Sequence, residues 1–259
     1  MSLGDHLREL RRRVLICAVA LLLTSVAGWF LFSPVYDHLT EPLLQIARER
    51  GDERSIALNY AGLTAAFSQR VSIAIFVGCL LSSPIWLWQV WSFIVPGLTR
   101  KERRVSLAFI AATVPLFLAG CWFAYYTLPK TVRILISFTP NGAVNYPEAS
   151  LYFSFVTRFI VVFGLAFLMP VFLVALNMVR VLPASAMRRT WRPAVLVIFV
   201  FAAIATPTPD PFTMFLLAIP LCLLYASALA ISTVLDRRRA KDRPAWADGE
   251  LSDDEASSL

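Results

Sequence analysis

Histidine occurs only twice in the 259 residues, at His6 and His38, so a HExxH metal pair is excluded. The four cysteines, Cys17, Cys79, Cys121 and Cys222, fall inside apolar stretches without paired spacing, which indicates neither a disulfide framework nor a zinc site. A GxSxG elbow and a GxxxxGK(S/T) loop are both missing, which removes the usual seats of serine-hydrolase chemistry and of ATP. Charge is also scarce: 16% of residues are Asp, Glu, Lys or Arg, against roughly 25% in a soluble domain. These shortages leave membrane-enzyme chemistry weakly supported, and no metal or other cofactor is expected.

What fills the chain instead is apolar, at 58% hydrophobic residues and a mean hydropathy of +0.66. The hydrophobic residues are gathered into stretches free of Asp, Glu, Lys and Arg. These are Val14 to Tyr36, Val71 to Thr99, Val105 to Pro129, Phe159 to Val179, Pro193 to Pro209 and Pro211 to Leu235. About 20 apolar residues carry a helix across roughly 30 Å of hydrocarbon. The fold class expected is therefore an all-α polytopic membrane protein with six transmembrane helices, at about 14–33, 71–92, 105–128, 159–179, 193–206 and 212–234. One membrane domain is expected over 1–235, followed by a disordered cytoplasmic tail over 236–259, polar and acidic at its end. The first apolar stretch is too long, and lacks a small-residue cleavage site, to be a signal peptide.

Cytoplasmic loops carry an excess of Lys and Arg. The segments 1–13, 100–104, 180–192 and 236–259 hold 17 basic residues, whereas 34–70 and 130–158 hold seven. Both termini are thus expected in the cytoplasm. Seven outer acids, Asp37, Glu41, Glu49, Asp52, Glu53, Glu148 and Asp210, balance the outer cations, so the net charge of +7 sits on the inner face. An anionic lipid surface is the partner this favours, and nothing requires nucleic acid.

The fifth stretch offers only about 14–17 helical residues, or about 21–25 Å. It is either shielded by protein or a device that thins the bilayer locally. Prolines at Pro84, Pro115, Pro170 and Pro220 are expected to kink their helices and curve the bundle into a concave wall. In the long outer loop, LTEPLLQIARER at 39–50 predicts a short interfacial helix with Pro42 near its first position. No charge lies within any of the six stretches, which weighs against an ion-coupled carrier. A secondary transporter or channel is the alternative reading, although matching halves with broken helices are not evident. Arg158 stands just before the fourth stretch, where it can snorkel to the outer headgroups. Asp210, in the outer turn, is a candidate cap for the sixth helix.

Two carboxylates stand out in basic surroundings: Glu9 within His6-Leu7-Arg8-Glu9-Leu10-Arg11-Arg12-Arg13, and Glu102 within RKERR at 100–104. Each either pairs locally, Glu9 with Arg12 and Arg13 at helical spacing, or is kept to grip guanidinium groups of a ligand, since the Arg fork matches a carboxylate bidentately.

That N-terminal motif resembles the twin-arginine translocase subunit TatC, as does SSPIWLWQVWSFIVPGLTRKERR at 82–104. FGLAFLMP at 163–170, TPTPDP at 206–211 and LLAIP at 216–220 follow in the family's order, so the likeness covers about residues 5–235. It implies a receptor and core subunit that binds twin-arginine signal peptides at the cytoplasmic face of the bacterial plasma membrane. The proton-motive force then drives export of folded cargo. It implies partners as well, the single-span subunits TatA and TatB, with homo-oligomers inside a hetero-oligomeric complex. By matching position, Glu9 and Glu102 become the signal-peptide carboxylates, with Leu10, Arg11, Phe93, Pro96 and Arg103 beside them. Pro42 and Asp210 match outer positions used in assembly or transport. The chain departs from the family's pattern at Leu168 and Met214, which are apolar where many members carry polar partner-docking residues.

Overall fold

The computed structural model describes residues 3–49, 58–94, 100–138, 147–178, 180–205 and 211–241, with the side chains of 3, 49, 94, 100–110, 205 and 241 outside that description. Ten helices occupy these residues: α1 (Leu3–Phe30), α2 (Phe32–Glu49), α3 (Ala65–Leu81), α4 (Ser83–Ile94), α5 (Arg100–Ser137), α6 (Ala149–Ala166), α7 (Met169–Met178), α8 (Ala184–Arg189), α9 (Trp191–Ala205) and α10 (Pro211–Lys241). Among the described residues the sole β-type pairing is an isolated bridge of Asn59 to Glu148. Four segments are long and apolar enough to cross a membrane: Gly4–Phe30, Ala111–Ser137, Ala149–Met178 and Pro211–Ala240. The bent pair α3–α4 makes a fifth if taken as one span, and Trp191–Ile204 is a shorter apolar helix.

The second charge-free stretch is not one straight helix: α3 and α4 meet at a 60° bend. Pro84 supplies the reason, since it has no N–H to continue the α3 ladder. The bend closes on itself through polar groups. Ser82 donates its N–H and its Oγ to Gly78 O at 2.9 and 2.7 Å, and Trp86 Nε1 donates to Cys79 O at 3.1 Å. A second break falls between α6 and α7, directly before Pro170. Pro115 and Pro220, by contrast, lie inside continuous helices.

The segment after α1, expected as an outer loop, differs from expectation too. The helix there begins at Phe32, and Pro42 lies within it, buried. The proline in the first turn is Pro34, where a missing N–H costs nothing. Leu31 N donating to Ala27 O and Val35 N to Leu31 O carry the backbone from α1 into α2. Tyr152 OH donates to Leu39 O at 2.7 Å and fixes α2 on α6.

Small residues let the helices approach closely, the usual basis of association in lipid. A Cβ on Gly28 would collide with the Ala74 carbonyl oxygen, and one on Gly78 would lie 2.8 Å from Ser25 N, so α1 and α3 meet backbone to backbone. Gly120 of α5 faces Phe163 O, and Gly164 of α6 faces Cys121 and Phe117. The centre is aromatic: Phe117, Phe153, Phe159 and Phe163 are fully buried. Toward the C-terminus α10 packs on α7, α8 and α9.

Helix α10 runs to Lys241, past the expected start of the tail at 236. The cause is a polar knot. Asp236 accepts from Asn177 Nδ2 at 3.1 Å and from Ala184 N at 2.8 Å, and Arg239 donates to Asn177 O and Met178 O. Residues 242–259 lie outside the described residues.

Candidate functional site

The N-terminal turns of α1 run against the far end of α4. His6 stacks on Phe93 with ring centroids 4.6 Å apart and planes at 24°. One turn on, Arg13 donates Nε to Glu9 Oε1 at 3.1 Å and Nη2 to the same oxygen at 2.5 Å. The Nη1 of Arg13 reaches Gln89, contacting its carbonyl and its Oε1 at 3.4 Å. The His6–Phe93 stack and the Arg13–Gln89 contacts hold α1 to α4 at two levels, and the bonds from Arg13 orient the Glu9 carboxylate.

The carboxylate remains accessible, its side chain 30% exposed. Both Arg13 bonds end on Oε1, and Oε2 has no partner among the described residues. A carboxylate oxygen accepts more than one hydrogen bond, so Glu9 can receive a second guanidinium from outside. Leu10 and Arg11 are exposed on the same turns of α1, Arg11 on a different face from Glu9. The sequence-level alternatives for Glu9 therefore coexist: it pairs with Arg13 and keeps an acceptor open.

Glu102 and Arg103 lie in the first turn of α5, which packs on α4. Their side chains, and the whole of Pro96, lie outside the described residues. The structure thus places Glu9, Leu10 and Arg11 on the N-terminal turns of α1, sets Phe93 of α4 against His6, and puts the backbone of Glu102 and Arg103 on the element that follows α4.

The comparisons with known proteins now decide the family. Residues 5–220 match the family model described as Sec-independent protein translocase protein (TatC). The chain belongs to the TatC family.

A TatC protein of Xylanimonas cellulosilytica is 44% identical over 238 residues, covering 92% of this chain and 86% of its own. The TatCy protein of Bacillus subtilis is 34% identical, covering 96% and 95%. A crystal structure of the twin-arginine translocase receptor TatC in DDM superposes with a TM-score of 0.76 at 31% identity, over 88% of this chain and 99% of that one. The all-helical fold is accordingly that of TatC, and the chain is a multi-pass integral membrane protein of a protein-translocation family.

The remaining TatC-like positions scatter. Pro42 is buried inside α2. Leu168 is 3% exposed, at the break between α6 and α7, and Met214 packs partly buried against the same core. Asp210 lies outside the described residues, just ahead of Pro211, the first residue of α10. Sequence reasoning passed over His6 and Gln89 as partners of the site, and Asn177 with Asp236 as its counterpart under α7. The one signal for the latter pair was an amide inside an otherwise apolar stretch.

A second polar feature lies near the middle of the chain. Arg158 of α6 shares a cleft of about 560 Å³ with Ser72 and Cys79 of α3 and Ile204 of α9. Arg158 therefore lies near the C-terminal end of α9.

Proposed function

We propose that this chain is the signal-peptide receptor and scaffold of a twin-arginine translocation complex. In this reading it crosses a bacterial plasma membrane six times, counting α3–α4 as one crossing and α9 as another, with both ends in the cytoplasm. Glu9 and Glu102 each accept one arginine of the signal, and the surrounding cations repel basic peptides that cannot place an arginine on each carboxylate. Leu10, Arg11, Phe93, Pro96 and Arg103 shape the surface between them. No covalent step is involved.

The observation that carries this reading is the half-occupied Glu9: one oxygen is committed to Arg13, the other has no partner among the described residues, and the side chain is 30% exposed. A purely structural ion pair would have no need of the additional anchors, His6 on Phe93 and Arg13 on Gln89, that fix the carboxylate in place.

TatA- and TatB-type single-span subunits then assemble on the scaffold, which itself associates with further copies, and the proton-motive force drives passage of folded cargo. The 15 residues of α9 span about 22 Å. With Arg158 beside its outer end, this favours a bilayer thinned where those subunits gather. With Leu168 buried and Met214 half-buried, their docking relies on apolar packing at Met214 rather than on a polar side chain. Pro42 and Asp210 act at the outer face in assembly or transport.

The test is photocrosslinking of a signal peptide to the membrane-embedded chain, comparing an Arg-Arg peptide with its Lys-Lys form and the wild type with Glu9→Ala and Glu102→Ala. Labelling should require both arginines and both carboxylates. Equal labelling in every combination would remove the recognition mechanism.

A further inference from the structure

The face of α1 next to the Glu9 face carries a second pattern, which shares only Arg11 with the residues proposed for signal recognition. Arg8, Arg11 and Arg12 are followed at helical spacing by Leu15, Val19 and Leu23, so one stripe passes from cationic to wholly apolar. These residues line a groove of about 690 Å³ whose opposite wall is Ile85 in the first turn of α4, just past the 60° bend. All six α1 residues are exposed. Arg13 is engaged by Glu9, but Arg8, Arg11 and Arg12 have no carboxylate partner among the described residues.

From this we infer that the groove is a binding site for one anionic phospholipid, its phosphate held by Arg8, Arg11 and Arg12 and one acyl chain laid along Leu15, Val19 and Leu23. Charge selects the headgroup. Three guanidinium groups without carboxylate partners among the described residues offer bidentate donors to phosphate oxygens, and a zwitterionic headgroup would bring its own ammonium into their field. Length selects the tail. From Arg12 to Leu23 the track rises about 16 Å, which is the depth of one leaflet of a roughly 30 Å hydrocarbon core. A transmembrane partner helix would need a track about twice as long. The groove is open along its side, as entry from the bilayer requires, and bound lipid would brace α1 against the start of α4.

The site does not depend on the peptide-binding reading: Arg11 is common to both, but Glu9 and Phe93 lie outside the groove lining and Arg8 and Arg12 outside the peptide-binding set. The test is retention of lipid by the purified full chain, read by native mass spectrometry after exchange into detergent containing equal phosphatidylglycerol and phosphatidylcholine. Wild type should keep one phosphatidylglycerol with a preference of about tenfold or more, given the pull of three juxtamembrane arginines. Arg8→Gln/Arg11→Gln/Arg12→Gln should bring the two lipids to near parity, whereas Arg188→Gln/Arg189→Gln, which removes charge from α8, should leave the preference intact. Val19→Trp, which fills the groove and spares the arginines, should also lose the bound lipid.

No preference in the wild type, or a preference that survives the triple substitution, would overturn the assignment. So would full retention by Val19→Trp. A photoreactive side chain at position 19 should label lipid; labelling of a partner protein in its place would show the groove to be a helix-docking surface and would also overturn it. Loss of signal-peptide labelling in Glu9→Ala with lipid retention unchanged would separate the two sites.

Discussion

Arg13 spends both of its Glu9 contacts on a single oxygen, Oε1, while its remaining nitrogen reaches Gln89 on α4. The pair is an i,i+4 bridge, and such a bridge on its own contributes only about 0.3–0.5 kcal/mol. Its importance is geometric. Through Gln89 the carboxylate becomes a fixed point of the α1–α4 junction, with Oε2 left as an acceptor.

Glu9→Gln should therefore cost little stability and much binding. The side chain keeps its shape and loses its charge, so a charge-assisted bond worth about 1.5–3 kcal/mol is replaced by a weaker one. Fluorescence anisotropy with a labelled Arg-Arg peptide should show affinity down roughly tenfold or more. The melting temperature of the detergent-solubilised chain should stay nearly constant.

His6→Ala should act on the same site through position rather than charge. Removal of the ring from Phe93 gives up about 0.5–1.5 kcal/mol of stacking and frees the first turn of α1. Peptide affinity should fall about threefold to tenfold on this scale, and His6→Phe, which restores the stack, should recover it. Unchanged affinity in His6→Ala would show that the stack does not serve the site.

Asp236→Ala should be among the more damaging single changes at the C-terminal end. It leaves Asn177 Nδ2 and Ala184 N without the carboxylate and detaches α10 from the α7–α8 turn. A loss of about 2–4 kcal/mol is expected for breaking such a network, read as a lowered melting midpoint together with protease sensitivity between residues 178 and 184. Arg239→Gln should do less, because its contacts to the two carbonyls are partly exposed.

Gly78→Ala should separate α1 from α3. The added methyl would meet Ser25 Oγ and lie 2.8 Å from Ser25 N, and overpacking of this kind costs about 1–3 kcal/mol. Gly62→Ala is the contrasting case. Its added methyl meets nothing nearby, and the cost arises from the backbone φ of 104°, so it should strain the α2–α3 loop without moving the helices apart.

Much of the fold was legible because hydrocarbon imposes a simple rule: charge-free stretches of the right length become helices. Hydropathy carries no direction, however, and so it could not show the 60° turn at Ser82, although Pro84 marked the spot. The same blindness put a helix start at Pro42, when Pro34 occupies the first turn of α2 and Pro42 lies within it. The helical extension to Lys241 was hidden because it depends on Asp236 meeting Asn177, 59 positions away in the chain. At the site, the spacing of Glu9 and Arg13 was readable as a helical pair. That the pair uses one oxygen and is anchored by Gln89 and His6 arises from the α1–α4 crossing, which no local pattern encodes.

The central claim is that Glu9 and Glu102 each receive one arginine of the signal. A double-mutant cycle tests it most directly: peptide affinity for wild type, Glu9→Gln and Glu102→Gln, each against Arg-Arg, Arg-Lys, Lys-Arg and Lys-Lys peptides. The account predicts that each glutamate substitution abolishes the advantage of one particular arginine and leaves that of the other, with coupling of about 1 kcal/mol or more per matched pair. Additive losses across all combinations, with no arginine coupled to either glutamate, would contradict it.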